Sequence, residues 1–228
     1  MTKDEFINFL HSLHATQSQI DQFAKYKELV QIANQHENLT RLCTEDKVYG
    51  QYFYNSIYPF TTLDWSKINS FLDVGSGSGI PGIALAILHP SQHLVIVEAN
   101  NKKINFLSDV VKALHLPYVQ LVNERAECIS TMYKNYFDLT TARAVAKIKV
   151  ILELTIPYLK VNGTCVLLKG ENWQQELDEA KDIMQALSIK LDHVLTYNEG
   201  NNVSYALFFT KTKLTTDHYP RKWTEIKK

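Results

Sequence analysis

The stretch Phe71-Leu72-Asp73-Val74-Gly75-Ser76-Gly77-Ser78-Gly79-Ile80-Pro81-Gly82 constrains this chain more than any other. A short run of buried-strand character passes into three alternating glycines. An apolar helical segment follows, with Pro81 near its first turn. Glycines at such a junction let the backbone turn sharply and approach a ligand without Cβ obstruction. In open α/β sheets, ligands sit at the carboxyl ends of the strands. Glu98 closes the next apolar run, and a carboxylate there can accept both hydroxyls of a ribose. The combination implies a nucleoside-bearing ligand rather than a bare tight turn.

The rest of the chain supplies the sheet. Apolar runs occur at Phe71–Val74, Leu94–Val97, Tyr118–Val122, Phe137–Thr141, Thr164–Leu168, Leu191–Leu195 and Val203–Phe209. Helical patterns separate most of them. Asn100–Leu114 places Ile104, Leu107, Val111 and Leu114 on one face, and Lys147–Leu159 and Trp173–Leu187 are further helical segments. This alternation predicts a Rossmann-like, seven-stranded, mostly parallel sheet covered on both faces. Only a short loop around Asn198–Asn202 joins the last two runs, so they should form an antiparallel hairpin at one edge.

Residues 1–69 read as a helical cap, and 70–228 as the ligand-binding domain. Thr2 with Glu5 forms a capping box before Phe6, Phe9, Leu10 and Leu13. Thr16 with Gln19 repeats the signal before Ile20, Phe23, Tyr26, Val30 and Ala33. An aromatic-rich segment from about Glu45 to Tyr58 completes the cap.

Composition narrows the class. With 228 residues and 45% apolar content, the chain can bury one sizeable core. Lys+Arg and Asp+Glu are 24 each, so net charge announces no nucleic-acid partner. A local basic patch would still suffice to hold phosphates. Cys43, Cys128 and Cys165 lie far apart and are odd in number, against a disulfide framework. No signal-like or membrane-length apolar run occurs, so a soluble, cytoplasmic protein with no membrane partner is expected; a monomer is the default expectation, though the sequence does not fix oligomeric state. The eight histidines show no ligand-like grouping, so no metal is expected.

Two ligand classes fit the loop. Gly77-x-Gly79-x-x-Gly82 formally satisfies the dinucleotide fingerprint. Asp73, however, puts a carboxylate just ahead of the loop, where a pyrophosphate would be repelled. The ammonium of a methionine moiety, or a water ordered by the carboxylate, would be welcomed there. The long helical lead is also unusual for a nicotinamide domain. The residues therefore favour S-adenosylmethionine, with a dinucleotide as the rival.

Further stretches carry a resemblance over nearly the whole chain. They are Asn38-Leu39-Thr40, Asn55-Ser56, the extended loop Asp73–Ile83, Lys102-Lys103 with Phe106-Leu107, and Arg125-Ala126-Glu127. Ala142-Arg143-Ala144, Leu168-Lys169-Gly170 and Tyr219-Pro220-Arg221-Lys222 complete the set. Together they resemble the small-subunit ribosomal RNA methyltransferase G family, also called glucose-inhibited division protein B. The resemblance implies a class I S-adenosylmethionine-dependent methyltransferase acting on 16S rRNA or the 30S subunit. The implied target is N7 of one guanine in the 530 loop. By motif, Gly75 and Ile80 are expected to line the cofactor and Ala126-Glu127 to meet its adenine. Arg143 is expected beside the cofactor carboxylate or the target base, as the catalytic residue. Asp73, Gly77, Gly79 and Glu98 complete the expected cofactor site. There are departures. Tyr52 and Asn55 stand where the family usually has His and Asp, and Trp223–Lys228 replaces a Pro/Gly-rich basic ending.

The chemistry is consistent with that reading. Guanine N7 offers a lone pair in the ring plane, so no proton need be removed before attack. Positioning and water exclusion suffice. An exocyclic-amine methyltransferase motif is absent, since Thr140-Thr141-Ala142-Arg143-Ala144 occupies its place. No Pro-Cys for pyrimidine C5 chemistry occurs either. Lys102, Lys103, Lys147, Lys169, Arg221 and Lys222 are the candidate RNA contacts, with solvated helix faces as the alternative. Arg143 has a surface ion pair as its own alternative. Rival functions are methylation of another RNA, a protein or a small molecule, or RNA binding without catalysis.

Overall fold

The computed structural model describes residues 1–37, 44, 47–199 and 202–227. Asn38-Leu39-Thr40, Cys43 and the hairpin tip at 200–201 lie outside the described residues.

The cap begins as the capping signals predict. Thr2 Oγ1 accepts from the Glu5 backbone N–H, and the Glu5 carboxylate accepts from Thr2 N–H, starting α1 (Lys3–Ser12). Thr16 and Gln19 exchange the same pair of bonds ahead of α2 (Gln17–Glu37). The aromatic-rich segment is a π-helical run, Val48–Tyr54, merging into a short α3 (Asn55–Ile57) and a 3₁₀ turn, Tyr58–Thr62. Phe6, Phe23, Tyr49 and Phe53 pack together, with neighbouring ring centroids 5.2–5.6 Å apart. Aromatic burial of this kind holds together a helical run whose π-type bonding is otherwise rare.

The sheet contains β1 (Ser70–Val74), β2 (His93–Val97), β3 (Val119–Val122), β4 (Phe137–Arg143), β5 (Leu159–Lys169), β6 (Ile189–Glu199) and β7 (Asn202–Lys211). Their order is β3-β2-β1-β4-β5-β7-β6. The first five strands run parallel, while β7 lies antiparallel between β5 and β6. Helices α4 (Gly82–Leu88), α5 (Asn101–Ala113), α6 (Ile148–Thr155), α7 (Trp173–Asp178) and α8 (Lys181–Ala186) connect them, and α9 (Trp223–Ile226) ends the described chain. Strand order reverses between β1 and β4, which opens a crevice at their carboxyl ends.

Alternate residues of each strand face opposite cores. Phe71, Leu94 and Ile96 join a cluster with the cap and α4. Leu72, Val74, Val95 and Val97 join the other, built mainly on α6. Cap and sheet thus share one continuous apolar core.

Several elements differ from their sequence-based bounds; β6, expected over Leu191–Leu195, runs Ile189–Glu199, and β4 and β7 also extend past their apolar runs. The helix expected over Lys147–Leu159 stops at Thr155, because Pro157 falls in a 3₁₀ turn that turns the chain into β5. β5 starts five residues before its apolar run. Leu159 pairs with Phe137 but Thr164 with Leu139, so the polar residues between them form an irregularity in the register. The helix expected over Trp173–Leu187 is two short helices, broken where Ala180 packs into the core. Among the described residues, no helix is long and apolar enough to cross a membrane.

Candidate active site

The glycine loop leaves β1 in a conformation that needs glycine. Gly75 has φ +68°, and a Cβ there would lie 2.7 Å from Val145 Cγ2. Gly79 has φ +104°, with the Tyr26 hydroxyl and Ile83 where a Cβ would go. The cap holds this loop directly. Tyr26 and Tyr52 both donate their hydroxyls to the Ser78 carbonyl, at 2.6 and 2.8 Å. Burial raises both phenols, Tyr52 to about 12, so they remain protonated donors.

Asp73 lies fully buried beneath the loop. Its Oδ2 accepts from the Ser76 hydroxyl and from Gly82 N–H at 2.8 Å. Its Oδ1 has no partner. Burial raises the carboxyl to about 6, against the downward pull of the Ser76 and Gly82 donors. A buried oxygen with an unfilled acceptor site is what an incoming ammonium or its water would complete. At the end of β2, Glu98 accepts from Gly77 N–H at 3.0 Å through Oε2 and from Asn100 N–H at 2.9 Å through Oε1. Those bonds fix the carboxylate at the mouth of the crevice and leave it further lone pairs.

Two clefts open on this edge. The first, about 310 Å³, is lined by Gly75, Glu98, Lys103, Ala126, Glu127 and Trp223, among others. Tyr158 donates to the Ala126 carbonyl at 2.6 Å, which pins the turn after β3, and Arg125 pairs with Glu127. The second, about 350 Å³, is lined by Asn55, Arg143, Ala144, Lys169, Gly170 and Tyr197, among others. The clefts meet at Ala144, itself at φ +54°.

Among the described residues, Arg143 enters no ion pair; its partners are neutral. It donates to the carbonyls of Gln51 (2.7 Å) and Tyr52 (3.3 Å), and to the Ser56 hydroxyl. Desolvation lowers its pKa, but a guanidinium stays charged. These three bonds leave two of its five N–H donors over. The Asn55-Ser56 motif and Tyr52 therefore have a structural reading. Tyr52 and Ser56 tie the cap to Arg143, Tyr52 also ties it to the glycine loop, and the Asn55 carbonyl accepts from the Tyr197 hydroxyl of β6 at 3.0 Å.

The sequence-derived residues separate into groups. Gly75, Glu98, Ala126 and Glu127 share the first cleft, with Asp73 below it. Gly77 and Gly79 shape the turn, and Ile80 packs on the cap side. Lys169 lines the second cleft, yet it is paired with Glu176 at 2.6 Å and donates to Ala146 O. Lys147 pairs with Glu179 at 2.8 Å, and Arg221 is bound bidentately by buried Glu153. Lys102 and Lys222 are exposed, while Lys103 is partly buried beside the loop. Tyr26, Asn55, Val145 and Trp223 contribute unassigned. A lone aromatic in a polar tail carries no periodic signal, so Trp223 was invisible to pattern reading. Among the described residues, no group of three His, Cys, Asp or Glu side chains could hold a metal.

Strand order, edge hairpin and loop define a Rossmann-like methyltransferase fold of class I. Solved structures agree at the level of fold. The StiE O-MT (residues 961–1257) superposes with TM-score 0.61 at 14% identity, covering 82% of each chain. TYW2 of M. jannaschii, solved in complex with AdoMet, gives 0.55 at 16% identity over 69% of this chain and 76% of that one. Sequence comparison is more specific. The family profile described as rRNA small subunit methyltransferase G matches residues 19–204. Ribosomal RNA small subunit methyltransferase G of Malacoplasma penetrans is 42% identical over 88% of this chain and 86% of its own. Its counterpart from Streptococcus gordonii is 38% identical over 97% and 96%. The chain belongs to the rRNA small subunit methyltransferase G family.

Proposed function

We propose that this chain transfers a methyl group from S-adenosylmethionine to small-subunit ribosomal RNA, at N7 of a guanine in the 530 loop of 16S rRNA. The observation that carries the reading is the meeting of two clefts at Ala144, one lined by the glycine loop and Glu98, the other polar and lined by Arg143 and Lys169 together with Glu171 and Glu176. Asp73 and the glycine loop would hold the amino-acid end of the cofactor, Glu98 the ribose, and Ala126 with Glu127 the adenine. Bound there, the cofactor supplies an electrophilic sulfonium methyl.

The chain's own residues position and desolvate. Arg143, braced by three cap acceptors, has donors left for the base or the methionine carboxylate. Lys169 and Tyr197 wall the second cleft, where the acceptor base would enter. No side chain need act as a base, because N7 carries a lone pair. The contribution is alignment and exclusion of water. Lys102, Lys103 and Lys222, set around the first cleft and its tail, would meet RNA phosphates. The experiment is tritium transfer from methyl-labelled S-adenosylmethionine into 30S particles, naked 16S rRNA, free guanosine and total protein. Label in 16S rRNA supports the reading. Label confined to guanosine or protein overturns it.

A further inference from the structure

The C-terminal tail is pinned across the first cleft at two points. Glu153 of α6 is 1% exposed, and it takes three donors from one tail residue. Arg221 gives it the backbone N–H at 2.8 Å, Nε–H at 2.8 Å and Nη2–H at 2.6 Å. Five residues on, Ile226 is buried in the α6-side core. Trp223 lies between these anchors. Its indole lines the cleft that Gly75, Glu98 and Ala126 also line. The Arg125 guanidinium sits 4.2 Å over its ring while pairing with Glu127. Trp223 thus sits in a segment anchored on either side, at Arg221 and Ile226, with the Arg125 guanidinium over its ring.

From this we infer that Trp223 is a cofactor-binding residue, forming the outer aromatic wall for the purine nucleoside of S-adenosylmethionine. The inference rests on the cofactor reading above. Among the described residues Trp223 is the one aromatic ring in the lining; the remaining walls are small or aliphatic, as at Val74, Val97, Ala126 and Leu154, or charged, as at Lys103, Arg125 and the rim carboxylates. An indole adds a flat, apolar surface of the size of a purine. The tail then belongs to the cofactor site, and Arg221 is spent on holding it there rather than on phosphate.

The test uses the full-length chain and S-adenosylhomocysteine as probe. Calorimetry gives affinity, and indole emission reports on the tryptophan. Trp65 packs in the cap against His89, and Trp173 against Tyr205, so neither lines this cleft. Titration should quench emission saturably in the unsubstituted protein, and Trp223→Phe should remove that quench while keeping most of the affinity. Trp223→Ala should weaken binding by about tenfold, the low end for base–aromatic contacts by alanine substitution. An unchanged melting transition in Trp223→Phe guards against misfolding as the cause. If S-adenosylhomocysteine binds with equal affinity to all three and the quench survives in Trp223→Phe, the inference is wrong while the cofactor reading stands. If the unsubstituted protein binds none, both fall.

Discussion

Asp73 is a buried carboxylate with one oxygen fully engaged and the other facing nothing. Its folded pKa of about 6 lies above the ordinary 3.8. The folded state holds the proton more tightly, so the associated stability is present below about pH 4 and lost as pH rises through 6. Above that pH the charged form is costly without a cation. Asp73→Asn should therefore leave the ligand-free protein no less stable at pH 7.5 by urea unfolding. It should weaken cofactor affinity by roughly 10- to 100-fold, the scale of a charge-assisted hydrogen bond. In the unsubstituted protein, affinity should fall as pH drops through about 6, and the Asn variant should lose that dependence. A loss of stability with affinity intact would assign Asp73 to folding alone. The Ser78 carbonyl poses the complementary case, with two phenolic donors. Tyr26→Phe and Tyr52→Phe should each cost under about 1 kcal/mol, because the other hydroxyl remains. The double variant should cost roughly 1–3 kcal/mol beyond their sum, because the buried carbonyl is then unpaired. Additive costs in a double-mutant cycle would contradict this. The loop glycines, Asp73 and Glu98 were readable from their spacing along the chain. Tyr26 was readable only as a helix-face residue and Tyr52 only as a departure from the family's usual His, since nothing local shows where a hydroxyl ends up.

At the scale of elements, what could be read followed how strongly each segment's pattern matched one period. β1 and β2, buried on both faces, read as short apolar runs, interrupted in β1 only by Asp73, and were found almost to the residue. The start of β5 was hidden because Lys160, Asn162 and Gly163 break the apolar run where residues 160–163 fall out of register. The break between α7 and α8 was hidden because the helical period continues through it. The second cleft needed tertiary structure altogether, since Asn55, Arg143 and Tyr197 come from distant segments. The tail clasp is of the same kind. Removing Arg221 alone would leave Glu153 buried without its partner. Arg221→Ala should thus destabilise by roughly 3 kcal/mol, measured by urea unfolding. Replacing both members with leucine should recover most of the loss, because neither charge is then left buried. Failure of the double replacement to recover stability would mean that the pair supplies more than charge compensation.

At the scale of the molecule, the cap is built into the core of the sheet. Phe6 in α1, Phe53 in the π-helical run and Phe71 in β1 belong to one cluster. Through Tyr52, Ser56 and Arg143 the cap also braces both clefts. We propose that 1–69 is a cap in position and part of one folding unit in energy. Phe6→Ala should cost about 3–5 kcal/mol, the scale of deleting a buried phenylalanine. Urea unfolding should stay a single transition whether followed by circular dichroism or by tryptophan emission. Two separated transitions would make the cap an independent domain. The central claim concerns the atom that is methylated. The direct measurement is to treat unmodified 30S subunits with this protein and S-adenosylmethionine. Borohydride–aniline cleavage of the recovered 16S rRNA, which breaks the chain at N7-methylguanosine, then maps the product. One new cleavage within the 530 loop, dependent on both protein and cofactor, is the expected result. Methyl incorporation into the rRNA with no such cleavage would contradict the N7 assignment.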